Sequence, residues 1–157
     1  MTISTDTDIV LFVFLGDLTM TDLNTAIAKY LGWKCYEQPR SGYRLQYVYA
    51  PGKFPWDTTR DKEELKARCT EIDLTQIDPG KFDGQKMPDY LNDARLYMAL
   101  ADEMKTIGMF VLQYIVTEKV WLCTVRSFTN DIDIEEESDT VGTAICQAYC
   151  KLKGIKL

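Results

Sequence analysis

The stretch from Met87 to Leu152 constrains this chain most, because nearly every local signal in it agrees. It reads MPDYLNDARLYMALADEMKTIGMFVLQYIVTEKVWLCTVRSF, then a short acidic run, then ESDTVGTAICQAYCKL. After Pro88-Asp89, the residues Leu91, Ala94, Met98, Ala101 and Met104 or Lys105 recur at helical spacing, and Asn92, Asp93, Arg95, Asp102 and Glu103 mark the wetter side. Gly108 stops that helix. Met109 to Val116 and Lys119 to Arg126 are β-prone runs joined by Thr117-Glu118, a connection so short that the strands must be antiparallel neighbours. Ser127 to Glu137, with Asp131, Asp133, Glu135, Glu136 and Glu137, reads as a solvated loop. Ser138 or Asp139 then caps a helix that buries Val141, Ala144, Ile145, Ala148 and Leu152.

Upstream, Met20-Thr21-Asp22-Leu23 looks like a fresh beginning, with Thr21 or Asp22 as N-cap of a helix carrying Leu23, Ile27, Tyr30 and Leu31 on one side. Gly32 ends it, Trp33 to Gln38 reads as a strand, and Pro39-Arg40-Ser41-Gly42 is a turn into a second strand with Tyr43, Leu45, Tyr47 and Tyr49. Between Ala50 and Asp89 the pattern weakens under Pro51-Gly52, Pro55, Pro79-Gly80, Gly84 and Pro88, leaving one short helix from Arg60 to Cys69. So long an irregular connection often carries function. The apolar run Ile9 to Leu15 follows Asp6 and Asp8 rather than basic residues and is too short to span a bilayer. It reads as a strand that is buried on both faces or pairs with another chain. The chain is therefore expected to be a single domain, 1–157, with residues 1–19 an N-terminal strand extension and 20–152 the core.

The formal net charge of −6 opposes binding to duplex nucleic acid or an anionic membrane. Five cysteines and no secretion signal read as reduced, buried thiols in a cytosolic compartment. The absence of histidine excludes Ser-His-Asp and Cys-His catalysis and every His-ligated metal site. Cys146 and Cys150 lie one helical turn apart, yet a structural zinc needs four ligands and the other cysteines are scattered. The acidic run lacks the glycine and spaced final glutamate of a calcium loop. No metal or other cofactor is expected, and no carboxylate pair stands out for acid-base work.

Two binding features remain. In Tyr49 to Arg60, the aromatics Phe54 and Trp56 sit between prolines and are flanked by Lys53 and Arg60. They could stack a planar base and neutralise a phosphate, or anchor a protein partner; alternatively, Phe54 and Trp56 fold back over the sheet to close a small core. The second feature is the pair of helix starts around Tyr90, Asp93 and Thr140, since a helix N-terminus is a natural place to hold an anion. Asp89, Ser138 and Asp139 are better explained there as helix caps.

A LNTAIAKYLGWK helix, the MPDYLNDARLYMALADEM helix, a strand pair ending in a Trp-bearing strand and a final DTVGTAICQAYCKL helix, in this order, resemble the phage ABA-sandwich domain family. The resemblance runs from Met20 to Leu152 and is most specific at Gly32-Trp33, at Pro88-Asp89-Tyr90 to Asp93, and at the acidic-Thr lead into Ala144-Ile145-Cys146 and Ala148. It implies a central sheet with helices on both faces, in a small viral protein of the host cytoplasm, and supplies no mechanism. The chain departs from the family in its N-terminal strand and in the loop around Trp56.

The expected fold is thus an α/β (α+β) sandwich whose mostly antiparallel central sheet has about five strands, with helices packed on its faces. The expected function is noncatalytic: a phage accessory protein that binds and modulates a host or defence protein. A sponge that sequesters a nucleotide signal is the alternative, and a carboxylate-dependent hydrolase ranks last. A homodimer built on the apolar N-terminal strand and the aromatic loop is expected.

Overall fold

The computed structural model describes residues 20–78 and 87–157; the Ile9 to Leu15 run and the turn signals at Pro79-Gly80 and Gly84 lie outside them. The described elements are α1 (Met20–Tyr30), β1 (Lys34–Arg40), β2 (Tyr43–Tyr49), α2 (Lys62–Arg68), β3 (Thr70–Ile72), α3 (Ala94–Lys105), β4 (Met109–Ile115), β5 (Val120–Ser127), β6 (Ile132–Ser138) and α4 (Val141–Lys153). Single 3-10 turns occupy Pro55–Thr58 and Leu74–Gln76.

The fold is α+β with two three-stranded antiparallel sheets, ordered β2-β1-β3 and β4-β5-β6, in place of one central sheet of about five strands. Two local events account for the difference. β3, directly after α2, returns to the open side of β1 and pairs Cys35 with Ile72, which completes the first sheet from upstream residues alone. The second hairpin is then extended by the acidic run, which is strand β6 and not a loop. Ile132, Ile134 and Glu136 alternate with the exposed Asp133, Glu135 and Glu137. That is the period of a half-buried strand, masked in the sequence by so many carboxylates. Glu136 can face inward because Lys151 of α4 pairs with it.

The two hairpins behave differently at their tips. In the first, Pro39 and Arg40 belong to β1, and only Ser41 and Gly42 make the turn, with Gly42 at φ +84°. In the second, β4 and β5 close at Ile115 and Val120, so the loop is Val116 to Lys119 and wider than Thr117-Glu118. Lys119 takes a left-handed φ of 59° and donates its N–H to the Ile115 carbonyl at 2.8 Å.

Helix starts also shift. α3 begins at Ala94, capped by Asp93, whose carboxylate accepts from the Arg95 N–H at 3.0 Å. Asp89 caps a separate turn before it, accepting from the Asn92 N–H at 3.2 Å. α4 is capped by Thr140 rather than by Ser138 or Asp139: the Thr140 hydroxyl oxygen accepts from the Thr143 N–H at 3.2 Å. Met20 is already helical, so Thr21 and Asp22 stand in the first turn of α1 rather than at its cap. Gly32 is left-handed at φ +84°, as a helix-ending glycine should be.

α4 is the helix around which the rest is organised. Gly142 to Cys146 and Ala148 to Cys150 are buried, far more than a single stripe, because α3, β5, β6 and α1 all pack against it. Its first turn presses on the backbone of Leu91: a Cβ on Gly142 would overlap the Leu91 carbonyl oxygen and lie 2.8 Å from its carbon. One apolar cluster joins Cys35 and Val48 of the first sheet, Cys123 and Val125 of the second, Leu23 and Ile27 of α1, and the buried face of α4. The cysteines are free, four of them buried and Cys69 half-buried.

Candidate functional site

Along β1 and β2 the side chains alternate between faces. Cys35 and Val48 are cross-strand partners on the core side, so Tyr36 and its partner Tyr47 stand on the other, with Tyr43, Leu45 and Tyr49. The 3-10 turn Pro55–Thr58 folds over this outer face. Its geometry is fixed locally: the Phe54 N–H donates to the Asp57 carboxylate at 2.8 Å, and the Asp57 N–H returns to the Phe54 carbonyl at 3.1 Å.

The result is an aromatic layer. Phe54 and Trp56 stack with ring centres 5.1 Å apart and planes 11° from parallel. Tyr36 meets Trp56 edge-on at 5.4 Å, Phe54 at 6.3 Å and Tyr49 at 6.1 Å, while Tyr47 lies 6.4 Å from Tyr49. Phe54 and Trp56 do fold back over the sheet, and Tyr36 beneath them is only 4% exposed. The closure is partial, however: Phe54, Trp56, Tyr47 and Tyr49 remain half-buried, and Tyr43 at the hairpin tip is 58% exposed. Lys53 and Arg60 stand exposed at either end of the layer, and neither makes an ion pair with a described residue. Burial, followed by the Glu71 carboxylate, raises the Tyr36 hydroxyl pKa, and burial raises those of Tyr49 and Cys69. None of these groups is activated as a nucleophile.

Beside the layer, on the same sheet face, a polar cleft of about 320 Å³ opens among Gln38, Arg40, Asp61, Glu64 and Arg68. Arg68 is paired with Glu64 at 3.3 Å. Sequence reasoning missed both this cleft and Tyr36 as the centre of the layer. The hairpin register was the available signal, because pairing Tyr36 with Tyr47 puts it under the Tyr43 to Tyr49 face.

Tyr90, Asp93 and Thr140 are not brought to this surface by any hydrogen bond or ring contact, and their side chains are engaged elsewhere. Tyr90 is 5% exposed, its hydroxyl accepts from the Trp33 indole N–H at 3.1 Å, and its own N–H donates to the Asn24 side-chain oxygen at 2.7 Å. The Asp93 carboxylate is held by the Arg95 guanidinium at 2.9 Å and the Arg95 N–H, which lower its pKa. The Thr140 hydroxyl serves the α4 cap and also donates to the Thr143 hydroxyl at 2.8 Å. Tyr90 thus ties the segment before α3 to Trp33 and to Asn24 of α1, while Asp93 and Thr140 cap α3 and α4.

Acid-base chemistry finds little footing among the described residues. Asp102 pairs with Lys105 at 2.7 Å, and Glu103 is bound by Lys153 and accepts from the Tyr149 hydroxyl at 2.8 Å, contacts that lower its pKa. The described residues place no three Cys, Asp or Glu side chains where they could hold a metal ion. Among them no helix is long and apolar enough to cross a membrane. No protein-family model, curated protein or solved structure matches this chain.

Proposed function

We propose that this chain is a noncatalytic binding protein that holds a protein partner on the aromatic layer over its first sheet. The observation that carries the reading is the half-open layer of Phe54, Trp56, Tyr47 and Tyr49, with the exposed Tyr43, Lys53 and Arg60 around it. Rigid aromatics beside exposed cations are the composition of interface hot spots. The partner on this reading is a host or defence protein in the host cytoplasm, met in a viral accessory role. The second reading, a nucleotide sponge, rests on the aromatic layer as a stacking surface and on the arginines of the neighbouring cleft, Arg40 and Arg68, which stand there with Asp61 and Glu64. A hydrolase has least support, since the carboxylates described above are engaged in caps and ion pairs.

Lys53→Glu with Arg60→Glu tests the first reading, because both side chains are exposed and the fold does not depend on them. A host protein purified on the wild-type chain and reconstituted with it should lose at least about tenfold in affinity to the double variant. Unchanged affinity sinks the partner-binding role of the layer. Heat-denaturing the purified chain and chromatographing what is released tests the sponge: an intact nucleotide favours it, and a chemically altered one favours the hydrolase.

A further inference from the structure

β4 is the one described edge strand with no protection of its own. Its residues, MFVLQYI, include no charge, proline or glycine. β5 pairs with one side of it, and no described residue pairs with the other. The remaining edges are blocked: β2 carries Arg44, β3 is three residues long, and β6 carries Asp133, Glu135, Glu136 and Glu137. Soluble proteins shield open edges with charge, proline or brevity, because an unshielded edge pairs with another chain. Exposure of large apolar side chains gathers here too: Met109 is 40% exposed, Val111 38%, Tyr114 44% and Val116, just past the strand, 76%.

We propose that β4 pairs antiparallel with β4 of a second copy, about a two-fold axis at Leu112, to make one continuous six-stranded sheet. Symmetry fixes the register: Leu112 meets its own equivalent, Met109 faces Ile115, Phe110 faces Tyr114, and Val111 faces Gln113. Every pair but the last joins two apolar side chains, and the aromatic pair is among the stronger cross-strand combinations. Beyond the strand ends, the exposed Val116 falls opposite Gly108, which has no side chain to obstruct it. Charge favours the same arrangement. The acids of β6 go to the two outer edges, five strand spacings or about 24 Å apart, well past the screening length of about 10 Å. The acids of β6 therefore do not oppose the contact, and they stop the sheet from growing further, so the dimer closes. The proposal is independent of the aromatic layer, which lies on the other sheet.

Sedimentation equilibrium of the full chain at micromolar concentration tests it. The wild type should sediment as a dimer. Val111→Glu with Gln113→Glu sets like charges directly opposite in both symmetric pairs, and should weaken the dimer at least about tenfold. Val111→Lys with Gln113→Glu sets opposite charges there and should restore it. Both positions are exposed in the single chain, so circular dichroism should show all three proteins folded alike. A wild-type monomer, with the β4 edge left open or taken by another segment of the same chain, overturns the proposal. A dimer that the two glutamates leave unchanged overturns it as well.

Discussion

Gly142 shows how a single residue can carry a junction. Inside a helix, glycine to alanine ordinarily stabilises by about 1 kcal/mol, because glycine surrenders more backbone freedom on folding. Here the added Cβ would overlap the Leu91 carbonyl oxygen and approach the Tyr97 ring to 3.0 Å. Gly142→Ala should therefore destabilise by about 2 kcal/mol or more, and the Tm of the variant, read by calorimetry, gives the sign directly. The buried thiols make a second residue-scale prediction. Burial pushes Cys35 and Cys123 up to about 11, and Cys146 and Cys150 up to about 12, from the ordinary 9.0. A raised folded-state pKa contributes stability that is complete below the unfolded value and is lost as pH rises toward the folded one. Each thiol should then remove about 1.4 kcal/mol per pH unit across the window from 9.0 to its own raised value. Urea titrations at stepped alkaline pH measure the slope, and a Cys35→Ala chain should show a shallower one.

At the scale of elements, the 3-10 turn over the first sheet is both cover and candidate site, and one substitution measures the cover. Trp56 stacks on Phe54 and touches Tyr36, so Trp56→Ala should cost about 3 kcal/mol. An unchanged Tm would show that the layer contributes nothing to the fold. The helix caps offer a smaller, cleaner test: Thr140→Ala removes the bond to the Thr143 N–H and should cost about 1 kcal/mol in urea unfolding. Elements with strong local signals were legible in the sequence. The first hairpin, the β4–β5 pairing, the short helix α2 and the three long helices all form in the stretches where periodicity and turn residues place them, with their ends and turns shifted by a few residues. β6 was not legible, because alternation of Ile132, Ile134 and Glu136 is weak when five nearby residues are acidic. What makes a strand of it is the edge of β5, which ends just upstream at Ser127, and the Lys151 ammonium that α4 brings beside Glu136.

For the whole molecule, the apolar cluster that joins both sheets through α1 and α4 implies cooperative unfolding. Far-UV circular dichroism and tryptophan fluorescence should give one midpoint; a biphasic curve would show the sheets melting separately. By itself the sequence determined the class of the fold, the positions of most helices and strands, and the burial of most cysteines, because these follow from spacing, turn chemistry and the hydrophobic effect acting within short windows. Only the tertiary structure decided that the strands divide into two sheets, since partner choice among strand edges depends on where α2 returns β3 and on which edge remains open for β6. The same holds for the candidate site. Phe54 and Trp56 were visible as an aromatic loop, but Tyr36 joined them only through the hairpin register, and the anion-site candidates were claimed by other bonds, Tyr90 by Trp33 and Asn24, Asp93 and Thr140 by the caps of α3 and α4. Local chemistry names the groups a chain can present; long-range pairing and burial decide which of them remain free to meet a partner.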